Sequence, residues 1–357
     1  MYRLYTLCQS DEWLQIIQQM PEYDFYDTPE YHQLDTHGDA LLFVYEQDET
    51  TVCLPMILRE IPGTHFKDVT SVYGYAGPLI SNPQMTSTVA SDFRANLNAF
   101  FQKEKVVSVF SRLDPLKEQQ TELLEGLGNT CLLNQTVTLD LTLSQEEQWK
   151  MYSTSLRRQL RRIADKGIKC EVASSTTEWL TFAELYDASM KRRNANPHYF
   201  FPPTYFLHLR KACAFETLLL VSRYRGEIIA GGVFTMCNGT MQYHLGAVKS
   251  DYVTFSPLKQ IVDEARRIGY SKGMRIFHLG GGYGGEENSL FAFKSRFSPL
   301  RKEFRVWKYC TNEEAYAQLI EAEKGAQNKA DKETENGTEH GTETFTERSY
   351  FPLYRFI

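Results

Sequence analysis

The sequence predicts an α/β protein with mixed sheets (α+β) and two domains, and three observations carry that prediction. Short β-branched runs are joined by hairpin chemistry: residues 40–45 and 51–61 flank an acidic turn, and residues 216–224, 227–236 and 240–248 meet at Arg225-Gly226 and Asn238-Gly239. Between these runs lie stretches with apolar residues at helical spacing. Finally, 357 residues with 42% hydrophobic and 24% charged side chains suit two cores of ordinary size.

The first domain reads as residues 1–145. After its hairpin comes Ser71-Val-Tyr-Gly-Tyr-Ala-Gly-Pro78, where glycines alternate with Tyr73 and Tyr75 so that two rings stand on exposed backbone at a strand end. Phe93, Leu97, Phe100 and Phe101 space a helix over residues 89–103. A buried strand over 106–110, a shorter helix over 117–127 and a strand over 135–141 complete the unit.

The second domain reads as residues 146–311. Ser144 and Glu147 form a capping box ahead of its first helix. The next helix, residues 153–167, has the stripe Leu156, Leu160 and Ile163, and Gly167 stops it. Arg157 with Arg161, and Arg158 with Arg162, form two rows of like charge at i, i+4 that repel one another on a solvated face. A phosphate-rich partner relieves that repulsion. A helix over 176–193 ends in Lys191-Arg192-Arg193, another covers 205–211, and one over 257–268 follows the three strands. Beyond the strand at 301–308, residues 312–322 and 349–357 are expected to complete the first domain, with 323–348 a mobile acidic polar segment between them.

The stretch with most chemical content runs from His278 to Phe297. A strand over 275–279 enters a loop with five glycines in six residues, and Asn288-Ser289 then caps a short helix. Leu290, Phe293 and Phe297 fall on one face, and Lys294 sits at its edge, able to point into whatever the loop cradles. Gly280, Gly282 and Gly285 also match a dinucleotide fingerprint, but no run of βαβ units surrounds them.

Seven scattered cysteines, none in a Cys-x-x-Cys pair, describe reduced usage rather than a disulfide framework or zinc site. The amino terminus lacks the apolar core of a signal peptide, and no apolar run approaches the roughly 18 residues that cross a bilayer. A cytoplasmic protein is expected. The net charge is −6, but residues 321–348 hold eight acids against four bases, so the body is near −2 and local basic patches matter more than the total.

Several segments together resemble the Fem family, the peptidoglycan-bridge aminoacyltransferases, and the wider Fem-like proteins with acetyltransferase-type (GNAT-like) folds. They are Tyr73-Gly-Tyr-Ala-Gly-Pro78, the arginine helix ending in Lys166-Gly167, Tyr243-His-Leu-Gly246, and Leu279-Gly-Gly-Gly282 with Leu290-Phe-Ala-Phe-Lys294-Ser-Arg-Phe297. The resemblance implies two tandem acetyltransferase-like domains and a direct acyl transfer, with no cofactor. The implied donor is an aminoacyl-tRNA, and the acceptor an amine on a UDP- or lipid-linked cell-envelope precursor, which a protein peripheral to the inner membrane surface could reach. Lys294 is the implied catalytic cation, beside the developing oxyanion or the donor phosphate. Arg157, Arg158 and Arg161 would meet tRNA or diphosphate, and Arg193 the acceptor's phosphates. Tyr73, Tyr75, Tyr243, Gly281, Gly282, Tyr283 and Phe293 complete the expected substrate-binding set, with His244 and Tyr283 the candidates for a general base. The helical hairpin that longer relatives use for tRNA is not visible, and neither domain has the Arg/Gln-x-x-Gly-x-Gly/Ala loop of CoA-dependent acetyltransferases. Two alternatives stand beside this reading: an N-acyltransferase with acyl-CoA as donor, acting on a nucleotide sugar or exopolysaccharide unit, and an inactive module that binds phosphorylated glycans or RNA.

Overall fold

The computed structural model describes the backbone of residues 1–333 and 351–355, with side chains as far as Lys324 and again over 351–355. Most of the segment expected to be mobile, from 334 to 348, lies outside the described residues. In chain order the elements are β1 (Tyr2–Thr6), α1 (Ser10–Gln18), α2 (Pro29–His32), β2 (Asp39–Gln47), β3 (Thr50–Glu60), β4 (Lys67–Thr70), β5 (Leu79–Ile80), α3 (Ser87–Lys103), β6 (Val106–Arg112) and α4 (Gln120–Leu123). Next come β7 (Asn129–Asp140), α5 (Gln145–Met151), α6 (Thr154–Asp165), β8 (Lys169–Val172), α7 (Thr176–Arg192), α8 (Pro203–Lys211), β9 (Glu216–Tyr224), β10 (Glu227–Cys237) and β11 (Thr240–Val248). The chain closes with α9 (Leu258–Ser271), β12 (Ile276–Gly280), α10 (Ser289–Lys294), β13 (Arg301–Cys310) and α11 (Glu313–Glu333).

The chain divides into two compact units. One holds residues 1–21, 35–132 and 305–357, the other 22–34 and 133–304. In the first, strands run β1-β2-β3-β4-β6, with β13 beyond β6 and β5 on β3. All pairs there are antiparallel except β4 with β6. The β2–β3 turn places Asp48 and Glu49 at positive φ, the twist a two-residue hairpin needs. α3, capped by Thr86, covers the sheet with Phe93, Leu97, Phe100 and Phe101, all fully buried beside Phe43 and Trp307. Tyr354 bonds Ser108 at 2.6 Å, and Arg355 Nε donates to Asp68 at 2.8 Å, so residues 351–355 pack on this unit.

In the second unit the order is β7-β12-β11-β10-β9-β8, and β11 with β12 is the parallel pair. The hairpin turns are as their chemistry demands, with Arg225, Gly226, Asn238 and Gly239 all at positive φ. Leu156 and Leu160 of α6 and Ile261, Val262 and Ala265 of α9 pack against Phe234, Phe277 and Leu279. The expected capping box of α5 forms: Ser144 accepts from Glu147 N, and Glu147 reaches back to Ser144 N at 2.9 Å.

Three expectations change. The helix expected over 117–127 shortens to Gln120–Leu123: Lys117 N closes a turn on Asp114 O before it, and Gly126 and Gly128 take positive φ after it. The last helix runs to Glu333 rather than stopping at 322. β1, α1, α2, β4, β5 and β8, short or weakly patterned, are added. Among the described residues no helix is long and apolar enough to cross a membrane.

Candidate active site

β11 and β12 pair in parallel over only three rungs, Thr240–Gln242 against Ile276–His278. β11 then runs on to Val248 along β10, while β12 stays on β7 as far as Gly280. An opening therefore lies between the two strands past Gln242, walled by backbone that has no ladder partner across it. The strands bulge as they part: pairing skips His244 on β11 and Leu279 on β12.

Lys294 stands at this opening. Asn288 caps α10 by accepting from Leu290 N and Phe291 N, and its amide donates to Tyr283 O at 2.8 Å, tying the helix to the glycine loop. Phe297 is buried and Phe293 packs against the same core, as the stripe predicts, but within α10 the buried residues are Phe291 and Lys294. Periodicity places a lysine at the edge; the fold puts it inside, 8% exposed. Its Nζ donates to Gly281 O at 2.7 Å and lies 5.8 Å from the centre of the Tyr243 ring. Burial holds its pKa down to about 7, against an ordinary value of 10.5. Near neutral pH it therefore exchanges readily between ammonium and amine.

Tyr243 lies on β11, stacked on Phe234 at 5.3 Å, with its hydroxyl occupying the space a Cβ on Gly246 would need. Burial raises its pKa, and the charge of Arg193 opposes that rise. Arg193, exposed at the C-cap of α7, thus faces the same region. From the segment after it, Tyr199 packs on Tyr283 of the glycine loop at 5.3 Å between ring centres. Phe293 is half-buried and meets Phe297 edge-on at 5.5 Å. Direct contacts thus bring Lys294, Gly281 and Tyr243 together and pack Tyr283 on Tyr199, while Phe293 packs on Phe297.

The glycines of the loop are demanded by the chain itself. Gly280 and Gly284 take positive φ, and a Cβ on Gly282 would strike Glu286 O. His244, 8% exposed, bonds Tyr205 Oη through Nε2 at 2.7 Å, and burial lowers its pKa to about 3, so it is neutral. Arg158 and Arg161 are exposed on α6, and Arg157, partly buried, donates to Thr154 Oγ1 at 3.4 Å. Among the described residues none of these three, nor Arg162, forms an ion pair. Tyr73 and Tyr75 belong to the first unit, in a loop where Gly74 and Gly77 take positive φ. Sequence reading missed the bonds that tie β11 to its surroundings, Gln242 to Asp24 and His278 and His244 to Tyr205; no local pattern marks them, since Asp24 and Gln242 are 218 positions apart. Among the described residues no group of three His, Cys, Asp or Glu is placed to hold a metal ion.

A search of curated proteins finds no match to this chain. Residues 151–295 match the family model for the acetyltransferase (GNAT) domain. Among solved structures, the chain is similar to FemX, with TM-score 0.66 and 13% identity over 90% of this chain and 100% of that one. It is also similar to the C-terminal domain of a putative lysylphosphatidylglycerol synthetase from Agrobacterium fabrum, with TM-score 0.56 and 16% identity over 89% of this chain and 96% of that one. A tandem GNAT protein from the clavulanic acid biosynthesis pathway gives TM-score 0.50 and 9% identity over 86% and 98% of the two chains. The partly parallel, splayed β11–β12 pair lies within the matched residues, and the chain has a tandem acetyltransferase-type fold in which residues 151–295 match the GNAT domain model.

Proposed function

We propose that the protein transfers an aminoacyl group from aminoacyl-tRNA to an amine of a peptidoglycan or other cell-envelope precursor. The observation that carries this reading is Lys294: a buried amine with a carbonyl rather than a carboxylate as its partner, set at the opening between β11 and β12. In the reaction the acceptor amine attacks the ester carbonyl of the donor. A C–N bond forms, the carbonyl oxygen gains negative charge, and collapse breaks the ester C–O bond. One proton leaves the attacking nitrogen and one reaches the departing ribose oxygen. The Lys294 ammonium donates to the oxyanion, an interaction stronger in the transition state than in the ground state.

Two features favour a tRNA donor. The arginines of α6 offer uncompensated charge to a polyphosphate backbone. Between Lys249 and Leu258 the chain has no glycine, and Asp251 stands in that stretch, which is a poor cradle for a CoA pyrophosphate. Likeness to a lysylphosphatidylglycerol synthetase domain and the Fem resemblance support the envelope acceptor. A second reading, an acyl-CoA donor, is favoured by the acetyltransferase family match.

Mass analysis of UDP-linked muramyl pentapeptide after incubation with mixed aminoacyl-tRNA, or with acetyl-CoA, tests both. A gain of one amino acid with the tRNA donor alone is expected. A gain of an acetyl group, or no gain with either donor, overturns the aminoacyl reading.

A further inference from the structure

On the face of β11 opposite Tyr243, a buried polar chain joins three elements of the second unit. Gln242 Nε2 donates to Asp24 Oδ2 at 2.6 Å, and Gln242 Oε1 lies 2.7 Å from His278 Nδ1. The three residues are 2%, 1% and 0% exposed in the order Asp24, Gln242, His278. The direction of each bond follows from chemistry. A carboxylate only accepts, so the amide turns its nitrogen to Asp24; its oxygen then faces His278, whose Nδ1 must carry the proton. Asp24 is itself pinned, its Oδ1 accepting from Phe25 N at 2.7 Å and its own N–H donating to Asp27 at 2.8 Å.

The position of this chain gives it a use. Gln242 and His278 are opposite one another in the last parallel rung, immediately before both strands bulge and part. The next residue on β11 is Tyr243, and three residues after His278, just past the end of β12, is Gly281, whose carbonyl holds Lys294. An apolar pair would close the rung as well as a polar one. A directional chain of buried hydrogen bonds does more, because it fixes one register and one spacing and penalises any other.

We infer that Asp24, Gln242 and His278 form a positioning clamp, which sets the closed end of the opening and with it the spacing between the Tyr243 ring and the Gly281 carbonyl that Lys294 spans. This rests on the reading of Lys294 as the group that stabilises the oxyanion. His278 is a positioning residue, acting through the backbone that leads to Gly281.

Two variants separate the clamp from plain packing. His278→Leu removes the donor to Gln242, whereas His278→Asn presents an amide N–H close to where Nδ1 stood. Each is checked by thermal melting, then read by NMR titration of Lys294 in lysine-labelled protein and by kcat and KM for transfer. The ionisable group facing the amine, Tyr243, is unchanged in both. In His278→Leu the Lys294 titration moves up by about one pH unit or more as the opening loosens and admits water. Its kcat falls about tenfold to a hundredfold, with KM little changed. His278→Asn stays near wild type on every readout. Should His278→Leu fail to fold, Gln242→Met breaks the same chain from the other strand and is measured in the same way. The clamp is overturned if a folded His278→Leu or Gln242→Met keeps both the titration and kcat, or if His278→Asn fails as badly as His278→Leu. If wild-type protein transfers nothing, the proposed reaction falls, while the Lys294 titration and its response to the two variants still decide the clamp.

Discussion

Two of the buried lysines, Lys117 in the first unit and Lys294 in the second, have opposite surroundings. Lys117, 7% exposed, has its Nζ 3.3 Å from Asp114 Oδ2, a carboxylate as buried as itself. Around that pair the chain turns: Asp114 N donates to Gln120 Oε1, and Gln120 holds Ala76 and Pro78 in place. Lys294 is buried to the same degree, yet its bonded partner is a carbonyl and its other neighbour the face of a tyrosine. The first lysine is committed to an ion pair. The second keeps a proton that burial makes easy to lose and that an incoming negative charge would hold. On the proposed reading, lysines of equal burial differ as structural and reactive cations through their partners.

Removing each amine should break the two sites differently. Lys117→Met leaves the Asp114 carboxylate buried without its cation, and is expected to lower unfolding free energy by about 3–5 kcal/mol, read by urea denaturation at pH 7. Any loss of activity in that variant should track the fraction unfolded. Lys294→Met should do the reverse. Transfer falls by about 10²–10³ in kcat, the loss expected for one oxyanion donor, while the denaturation midpoint does not fall. Full turnover in Lys294→Met would end the comparison.

The pH dependence sharpens it. The folded pKa of Lys294 is depressed to about 7 while its unfolded value is the ordinary 10.5, so between those values the unfolded chain binds a proton that the folded chain does not. Stability contributed by this position therefore rises with pH across that window, and below pH 7 the folded protein carries the full burden of a buried charge. Relative to Lys294→Met, the wild type should recover about 1.4 kcal/mol for each pH unit from pH 7 to 10, measured by denaturation across that range. A gap that is flat with pH would mean the amine is not desolvated. In kcat/KM the same titration should appear as an alkaline limb with a midpoint near 7, absent from the residual activity of Lys294→Met.

The exposed cations of α6 extend the contrast to charges that face solvent with no ion pair among the described residues. Changing Arg158, Arg161 and Arg162 together to Gln should weaken tRNA binding and reduce the slope of log affinity against log salt by roughly 0.7–0.9 for each phosphate no longer neutralised. Lys294→Met should leave that slope alone. An unchanged slope in the triple variant would make α6 a solvated face only.

How much of this is legible in the sequence depends on distance along the chain. Turns and caps are local, so Asn238-Gly239, the Ser144–Glu147 box and the Asn288 cap can be read directly from residue types. The glycine loop and Lys294 stand out for the same reason. The burial of Lys294 does not, because hydrophobic periodicity assigns every lysine to solvent and only the tertiary fold brings Phe291 and Lys294 inward together. Asp24, Gln242 and His278 are polar residues in segments that read as an ordinary loop and two strands. Their meeting depends on residues 22–34 packing with the second unit, a choice that no local preference records. The end of α4, by contrast, is marked locally by Gly126 and Gly128, which take positive φ just beyond it.

The smallest effect concerns what holds Lys294 in place rather than Lys294 itself. Asn288 accepts from two backbone N–H groups at the start of a helix only six residues long and donates back to Tyr283 O. Asn288→Ala removes the cap and the tie to the glycine loop together, and should lower unfolding free energy by about 1 kcal/mol. Asn288→Asp keeps the acceptor for Leu290 N and Phe291 N but loses the amide donor to Tyr283, so it isolates the second function. If α10 needs only its cap, Asn288→Asp restores both stability and kcat. If the loop must also be tethered so that Gly281 O stays within reach of Lys294, Asn288→Asp restores stability but not kcat. That second outcome is expected, because Tyr283 O and Gly281 O belong to the same short loop and shift together when the tie is cut.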